Sequence, residues 1–93
     1  MTISKTSGVY GIFSNGKCLY IGESSKAAER ITNHKWKLKN KDKVYFKQNE
    51  KDLYNNISQH NNLIFGMIEE TNNHQEREKY YINKLKPLYN VSF

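Results

Sequence analysis

Asn15-Gly16 stands between two apolar, aromatic runs, GVYGIF at 8–13 and KCLYI at 17–21. Asn and Gly both tolerate the positive φ that tight hairpin turns require, so this stretch reads as a β-hairpin near the start of the chain. A hairpin alone is not stable in water and needs a third strand or a helix to cover its apolar face. The rest of the sequence must supply that cover.

It does so with helical and strand patterns in turn. Gly22 ends the second strand, and Ser24 and Ser25 are N-cap candidates. Ala27, Ala28, Ile31, His34 and Leu38 follow at helical spacing, which predicts a helix over about 25–39. Residues 40–47 are ambiguous, since Val44-Tyr45-Phe46 suits either a short strand or a helix start. Leu53 and Ile57 suggest a short second helix at about 49–59. LIFGMIE (63–69) reads as a buried strand, and a last helix spans about 74–85 before Pro87. The fold class is α+β: a small three-stranded antiparallel or mixed sheet flanked by helices, in the order β-β-α-(α)-β-α.

At 93 residues this is expected to be one domain over 1–93, with no separate DNA-binding domain. Hydrophobic residues are 37% and aromatic residues 13%, too rich for a disordered chain. The formal net charge is +6, and +5 of it lies in KWKLKNKDKVYFKQNEK at 35–51. A basic patch so confined suggests a polyanion such as nucleic acid, although a solvated lysine face fits the charge equally well. Arginine occurs only at Arg30 and Arg77 while Asn, Lys, Ile and Tyr abound, a bias that an A+T-rich gene would give. No run approaches the roughly 18 apolar residues of a membrane span, and MTISKTSGVY has no apolar signal region. Cys18 is the only cysteine, which excludes an internal disulfide and a thiolate zinc site and fits a reduced, cytoplasmic setting.

Several polar residues stand where apolar ones are expected. The last helix has an apolar stripe of Tyr81, Ile82 and Leu85, and one turn back that stripe reaches Glu78. A carboxylate at a core edge loses hydration unless a cation or donor is near. Glu76 is different: it lies three residues after Asn73, where a capping-box acid reaches back to the helix start. On the first helix, Arg30 and His34 form an i, i+4 pair on one flank with Ala27 and Ile31. Trp36 and Tyr45 could stack on exposed bases, with core packing the stronger expectation. His60 and His74 show no metal-ligand spacing and read as surface residues.

Together these positions resemble the GIY-YIG nuclease family. Gly8-Val9-Tyr10 matches the first signature with Val for Ile, and Tyr20-Ile21-Gly22 matches the second. Arg30 and His34 fall where the family has its arginine and a His or Tyr. Glu78-x-x-x-Ile82 followed by Lys86-Pro87-x-Tyr89-Asn90 resembles the closing pattern. The resemblance spans about residues 8–91. Glu23 stands near a position where many repair-type members carry a lysine, which weakens a repair-type assignment.

The resemblance implies a metal-dependent DNA endonuclease. It implies that Tyr10 helps activate a water, with Tyr20 and His34 beside it, and that Arg30 clamps phosphate. It implies Glu78 as the lone protein carboxylate on one Mg²⁺ or Mn²⁺, and Asn90 as a brace. A tyrosine base, with an ordinary pKa of about 10, needs cations such as Arg30 and a bound metal to lower it. A shared role also needs Tyr10 and Tyr20 on one face. A two-residue loop at Asn15-Gly16 would pair residue 10 with 21 and separate them, whereas a three-residue loop, Ser14-Asn15-Gly16, pairs 10 with 20. The three-residue loop is therefore the expectation. Lys35, Lys37, Lys39, Lys41 and Lys43 are the expected DNA-holding residues, fanned around the end of the first helix. Specificity would then come from these lysines, a homodimer or a partner protein. Size and composition lean toward a phage or mobile-element gene, acting in the host cytoplasm. The alternatives are a non-catalytic nucleic-acid-binding module or an accessory subunit with the same fold.

Overall fold

The computed structural model describes residues 6–42 and 47–90. Lys43 and Tyr45, and the segment around them, lie outside the described residues. The elements are β1 (Gly8–Ser14), β2 (Lys17–Ser24), α1 (Ala27–Lys39), α2 (Gln48–Ile57), β3 (Leu63–Glu70) and α3 (His74–Leu85). The sheet order is β2-β1-β3, and both pairings are antiparallel.

The hairpin loop is two residues long, not three. Ser14 pairs with Lys17, and Asn15 (φ 48°) and Gly16 (φ 84°) both take the positive φ of a type I′ turn. That loop alone would pair Tyr10 with Ile21, yet Tyr10 pairs with Gly22, and Tyr20 with Ile12. The two tyrosines nevertheless share a face. A β-bulge between Ile12 and Phe13 places Leu19 as an extra residue in β2, and one inserted residue reverses the facing of everything beyond it. The tyrosine rings lie 6.4 Å apart.

β1 is the central strand and is buried along most of its length. On one face, Tyr10 and Ile12 look toward α1 and α2. Ile12, Leu19 and Ile57 form the buried centre, with Leu38, Leu53, Leu63 and Phe65 packed around it. On the other face α3 is tied down by polar contacts. The Arg77 Nε donates to the two Glu69 carboxylate oxygens at 3.0 and 3.1 Å, and the Tyr81 hydroxyl donates to Glu69 at 2.8 Å. Arg77 and Tyr81 hold the Glu69 carboxyl below its ordinary range.

Helix starts differ from expectation in detail. α1 begins at Ala27, with Ser24 Oγ accepting from the Lys26 N–H just ahead of it at 2.9 Å. At α3 the Asn73 side chain donates to Glu76 at 2.8 Å, so the two side chains satisfy each other and neither caps the helix backbone. Trp36 is 55% exposed, which overturns the core expectation. His60 and His74 are not free surface residues: His60 Nε2 lies 2.6 Å from the Tyr89 hydroxyl, and His74 pairs with Glu23.

The end of α3 matters for the site. Lys86 adopts the left-handed conformation (φ 47°) and its N–H bonds to the Ile82 carbonyl at 2.9 Å, after which Pro87 forbids further helix. The chain turns back along β2. Leu88 and Tyr89 donate their N–H groups to the Cys18 and Leu19 carbonyls at 3.2 and 2.8 Å, covering an edge that would otherwise be open.

Candidate active site

Gly22 seats the first tyrosine. A Cβ on Gly22 would lie 2.4 Å from the Tyr10 hydroxyl oxygen and 2.5 Å from the ring carbon bearing it. The phenol therefore rests directly on the glycine that pairs with it. Tyr10 is 3% exposed, and its hydroxyl lies 2.9 Å from His34 Nε2 on α1. His34 Nδ1 lies 2.7 Å from the hydroxyl of Tyr54 on α2. Tyr20 completes the cluster, its ring 5.6 Å from the His34 ring.

In front of this cluster is a cleft of about 270 Å³, lined among others by Tyr20, Arg30, His34, Tyr54, Glu78 and Asn90. Tyr10 stands behind the wall, and Tyr20 is the signature tyrosine that meets the cleft. Arg30 is exposed at its rim. Asn90 grips the β2 backbone from the other side. Its Oδ1 accepts from the Ile21 N–H and its Nδ2 donates to the Ile21 carbonyl, both at 2.7 Å. This fixes β2 immediately beside Tyr20.

Burial dominates the electrostatics. It raises the Tyr10 pKa well above 10, against a smaller lowering by Arg30. The cation expected to make Tyr10 a base is present, but desolvation outweighs it. Tyr20 is raised for the same reason, and the charge of Glu78 adds to it. Glu78 is itself raised by burial and then by the charge of Glu23. Its carboxylate has no hydrogen-bond or ion-pair partner among the described residues.

His34 is shifted the other way. Burial, followed by the charges of Arg30 and Lys37, lowers its pKa from 6.5 to about 4. The imidazole is neutral at physiological pH. Between these values the unfolded chain holds a proton that the folded chain rejects, so stability falls as pH drops from 6.5 toward 4, by up to about 3 kcal/mol. A His34→Gln variant should show a flatter Tm profile across that window than the parent. Equal slopes would mean that the buried imidazole is not what makes the fold acid-sensitive.

Residues 6–90 match the family model of the GIY-YIG catalytic domain. The chain belongs to the GIY-YIG catalytic-domain family. The fold is similar to the GIY-YIG N-terminal endonuclease domain of UvrC from Thermotoga maritima bound to magnesium. That likeness has a TM-score of 0.60 at 19% identity, over 94% of this chain and 85% of that one. A point mutant of the same domain, bound to its catalytic divalent cation, gives 0.62 at 17% identity over 98% and 89%. At such identities the likeness is one of fold. No match was found among curated proteins.

In this GIY-YIG domain the expected residues divide into two sets. Tyr10, Tyr20, Arg30, His34, Glu78 and Asn90 converge on one cleft or its back wall. Among the described lysines, Lys35 and Lys37 do not share a face of α1, because positions two apart on a helix point about 200° apart. Lys35 lies over the Phe65 ring at 5.7 Å, whereas Lys37 lines the cleft and pairs with Glu50 at 3.1 Å. Lys41 contacts Asp42 and Asn55.

Sequence reasoning missed two participants. Tyr54 is 2% exposed and touches His34. Its signal is a polar-tipped aromatic beside the Leu53/Ile57 stripe of α2. The Glu23–His74 pair joins the end of β2 to the first turn of α3, one turn before Glu78. Nothing in the spacing of Glu23 and His74 announces it.

No cluster of three or more His, Cys, Asp or Glu able to hold a metal exists among the described residues. Glu78 still fits a hard cation. It is a carboxylate with no hydrogen-bond or ion-pair partner among the described residues, stripped of part of its hydration, on a cleft that also carries Arg30, Asn49 and Asn90 and is large enough for waters and a phosphate. Mg²⁺ characteristically takes one or two protein carboxylates and fills its remaining positions with water and substrate oxygens.

Proposed function

We propose that this chain is a divalent-cation-dependent DNA endonuclease that hydrolyses phosphodiester bonds in the cleft between α1, β2 and α3. One observation carries the reading: an unpaired, partly desolvated carboxylate, Glu78, shares a cleft with Arg30 and Tyr20. A carboxylate for a cation, a guanidinium for phosphate and a phenol for proton transfer are the groups that such a hydrolysis needs.

In this reading Arg30 holds the substrate phosphate, its planar fork matching two oxygens. Tyr20 presents its hydroxyl to the cleft, with Tyr10 behind it. With Arg30 and the cation favouring its ionised form, Tyr20 as a phenolate takes the proton from the attacking water and becomes a neutral phenol, with Tyr10 and His34 at its back. Glu78 would hold Mg²⁺ or Mn²⁺, and the ion's charge would stabilise negative charge on the phosphate and lower the pKa of groups near it. Asn90 keeps β2, and hence Tyr20, in place.

The substrate is DNA, held in part by the lysine segment, and a homodimer or a partner protein supplies specificity. The protein acts in the cytoplasm, and its lysine- and asparagine-rich composition suits a phage gene. Replacing Lys35, Lys37, Lys39, Lys41 and Lys43 together by glutamine should weaken binding and make log K fall less steeply with log salt. The slope should drop by about one unit for each phosphate that is no longer neutralised. An unchanged salt slope would take the segment out of the interface.

Incubation with supercoiled plasmid, branched DNA and single-stranded DNA, with Mg²⁺, Mn²⁺ or chelator, tests the enzyme itself. Nicking that appears with the cation and vanishes with chelator is expected. Failure to cut any of the three substrates would overturn the reading in favour of a binding module.

A further inference from the structure

Among the described residues at the cleft, Tyr54 is the buried hydroxyl to which the proposed hydrolysis gives no task. It comes from α2, and with His34 from α1 and Tyr10 from β1 it forms a line of three groups, phenol, imidazole, phenol, joined at 2.7 and 2.9 Å. The imidazole is neutral, so it carries one N–H and must donate at one nitrogen and accept at the other.

Two arrangements satisfy that rule. In one, Tyr10 donates to Nε2 and the Nδ1–H donates to Tyr54. In the other, Tyr54 donates to Nδ1 and the Nε2–H donates to the Tyr10 oxygen. The distances fit the second better. A hydroxyl donor makes the shorter contact and an N–H donor the longer one. Here the Tyr54 contact is 2.7 Å and the Tyr10 contact 2.9 Å. The surroundings of Tyr10 agree, because its hydroxyl also acts on Tyr20 as a hydrogen-bonding group that favours the Tyr20 phenolate. With Tyr20 beside it to receive its proton, the Tyr10 oxygen can accept from the imidazole.

We propose that Tyr54 is a positioning residue: its hydroxyl donates to His34 Nδ1, fixes the Nε2–H tautomer, and so makes the imidazole a hydrogen-bond donor to the Tyr10 oxygen. The imidazole neither gains nor loses a proton in this role. It supplies an uncharged N–H to the Tyr10 oxygen and leaves the Tyr10 O–H free to donate toward Tyr20, whose phenolate takes the proton from the attacking water. A donor beside that phenolate favours its charged form, and a Tyr10 hydroxyl spent on a bare nitrogen would not supply one. The tautomer stands independently of activity, and only its kinetic consequence rests on the endonuclease reading.

The test is ¹⁵N NMR of the histidine rings at neutral pH in the full chain. The three histidines are His34, His60 and His74, and a His34→Gln variant identifies the signals of interest. In the parent, Nε2 of His34 should be protonated and Nδ1 bare. Tyr54→Phe keeps the ring that fills the core, and should shift His34 toward a mixture of tautomers. Its kcat should fall about tenfold, the scale of one hydrogen bond, with KM for DNA within about twofold of the parent. A parent with Nδ1 protonated would overturn the proposal, as would a Tyr54→Phe variant with an unchanged tautomer. Absence of cleavage by the parent would instead end the endonuclease reading, while the NMR result still decides the tautomer.

Discussion

Replacing Glu78 with glutamine should give a protein that folds as well as the parent, or better, and no longer cuts DNA. The stability half of this result follows from sign. Burial and the charge of Glu23 raise the folded-state pKa of Glu78 above its unfolded value. Such a carboxylate opposes folding whenever it is ionised, so neutralising it at pH 7 removes a penalty. The activity half follows from its isolation. No cluster of carboxylates or imidazoles stands ready to hold a cation in its place among the described residues. If cation binding is worth several kcal/mol in the transition state, cleavage should drop about a thousandfold or more. Plasmid nicking and a thermal melt on the same preparation measure both. Retained cleavage would remove Glu78 from the site, and a large fall in Tm would recast it as a structural residue.

Gly8→Ala should be the most damaging single methyl in the chain. A Cβ at Gly8 would lie 2.2 Å from the Glu69 carbonyl oxygen and 2.7 Å from the Met67 side chain. The first of these is backbone, at the bulge where β3 inserts Ile68 opposite Val9 and Tyr10. Neither strand can yield without breaking the pairing that places Tyr10. The loss should reach about 3 kcal/mol or more, on the scale of the severest single substitutions. Gly66→Ala is the internal control, because nothing lies within 4 Å of a Cβ there. Urea midpoints should separate the two variants widely. Similar midpoints would mean that the sheet absorbs the methyl at Gly8.

Gly8 and Gly22 also show what a sequence can tell and what it cannot. Their positions in the signatures are legible, and so are the hairpin, the strand at 63–69 and the helix at 74–85, because periodicity and turn residues act locally. The reasons for the glycines are not legible, since Gly8 answers to a carbonyl of Glu69 on β3 and Gly22 to a phenol on the neighbouring strand. The hairpin loop differs from expectation for a related reason. Asn15-Gly16 suits a two-residue and a three-residue turn alike, and parity is restored by a bulge at Leu19 that has no residue signature. Trp36 is exposed because helix periodicity does not say where the neighbouring elements stop. The candidate cleft residues reveal themselves through their order and spacing along the chain. Tyr54 does not, because its contact with His34 exists only once α1 and α2 have packed.

The grip of Asn90 on Ile21 has a consequence for the order of events during synthesis. β2 is made well before residues 88–90, which seal its outer edge. β1 likewise waits for β3 on its other side. A chain emerging at roughly 5–20 residues per second therefore displays the tyrosine hairpin for seconds before its framework closes. The cleft is assembled only after residue 90 has been made, so a shorter nascent chain carries no completed site.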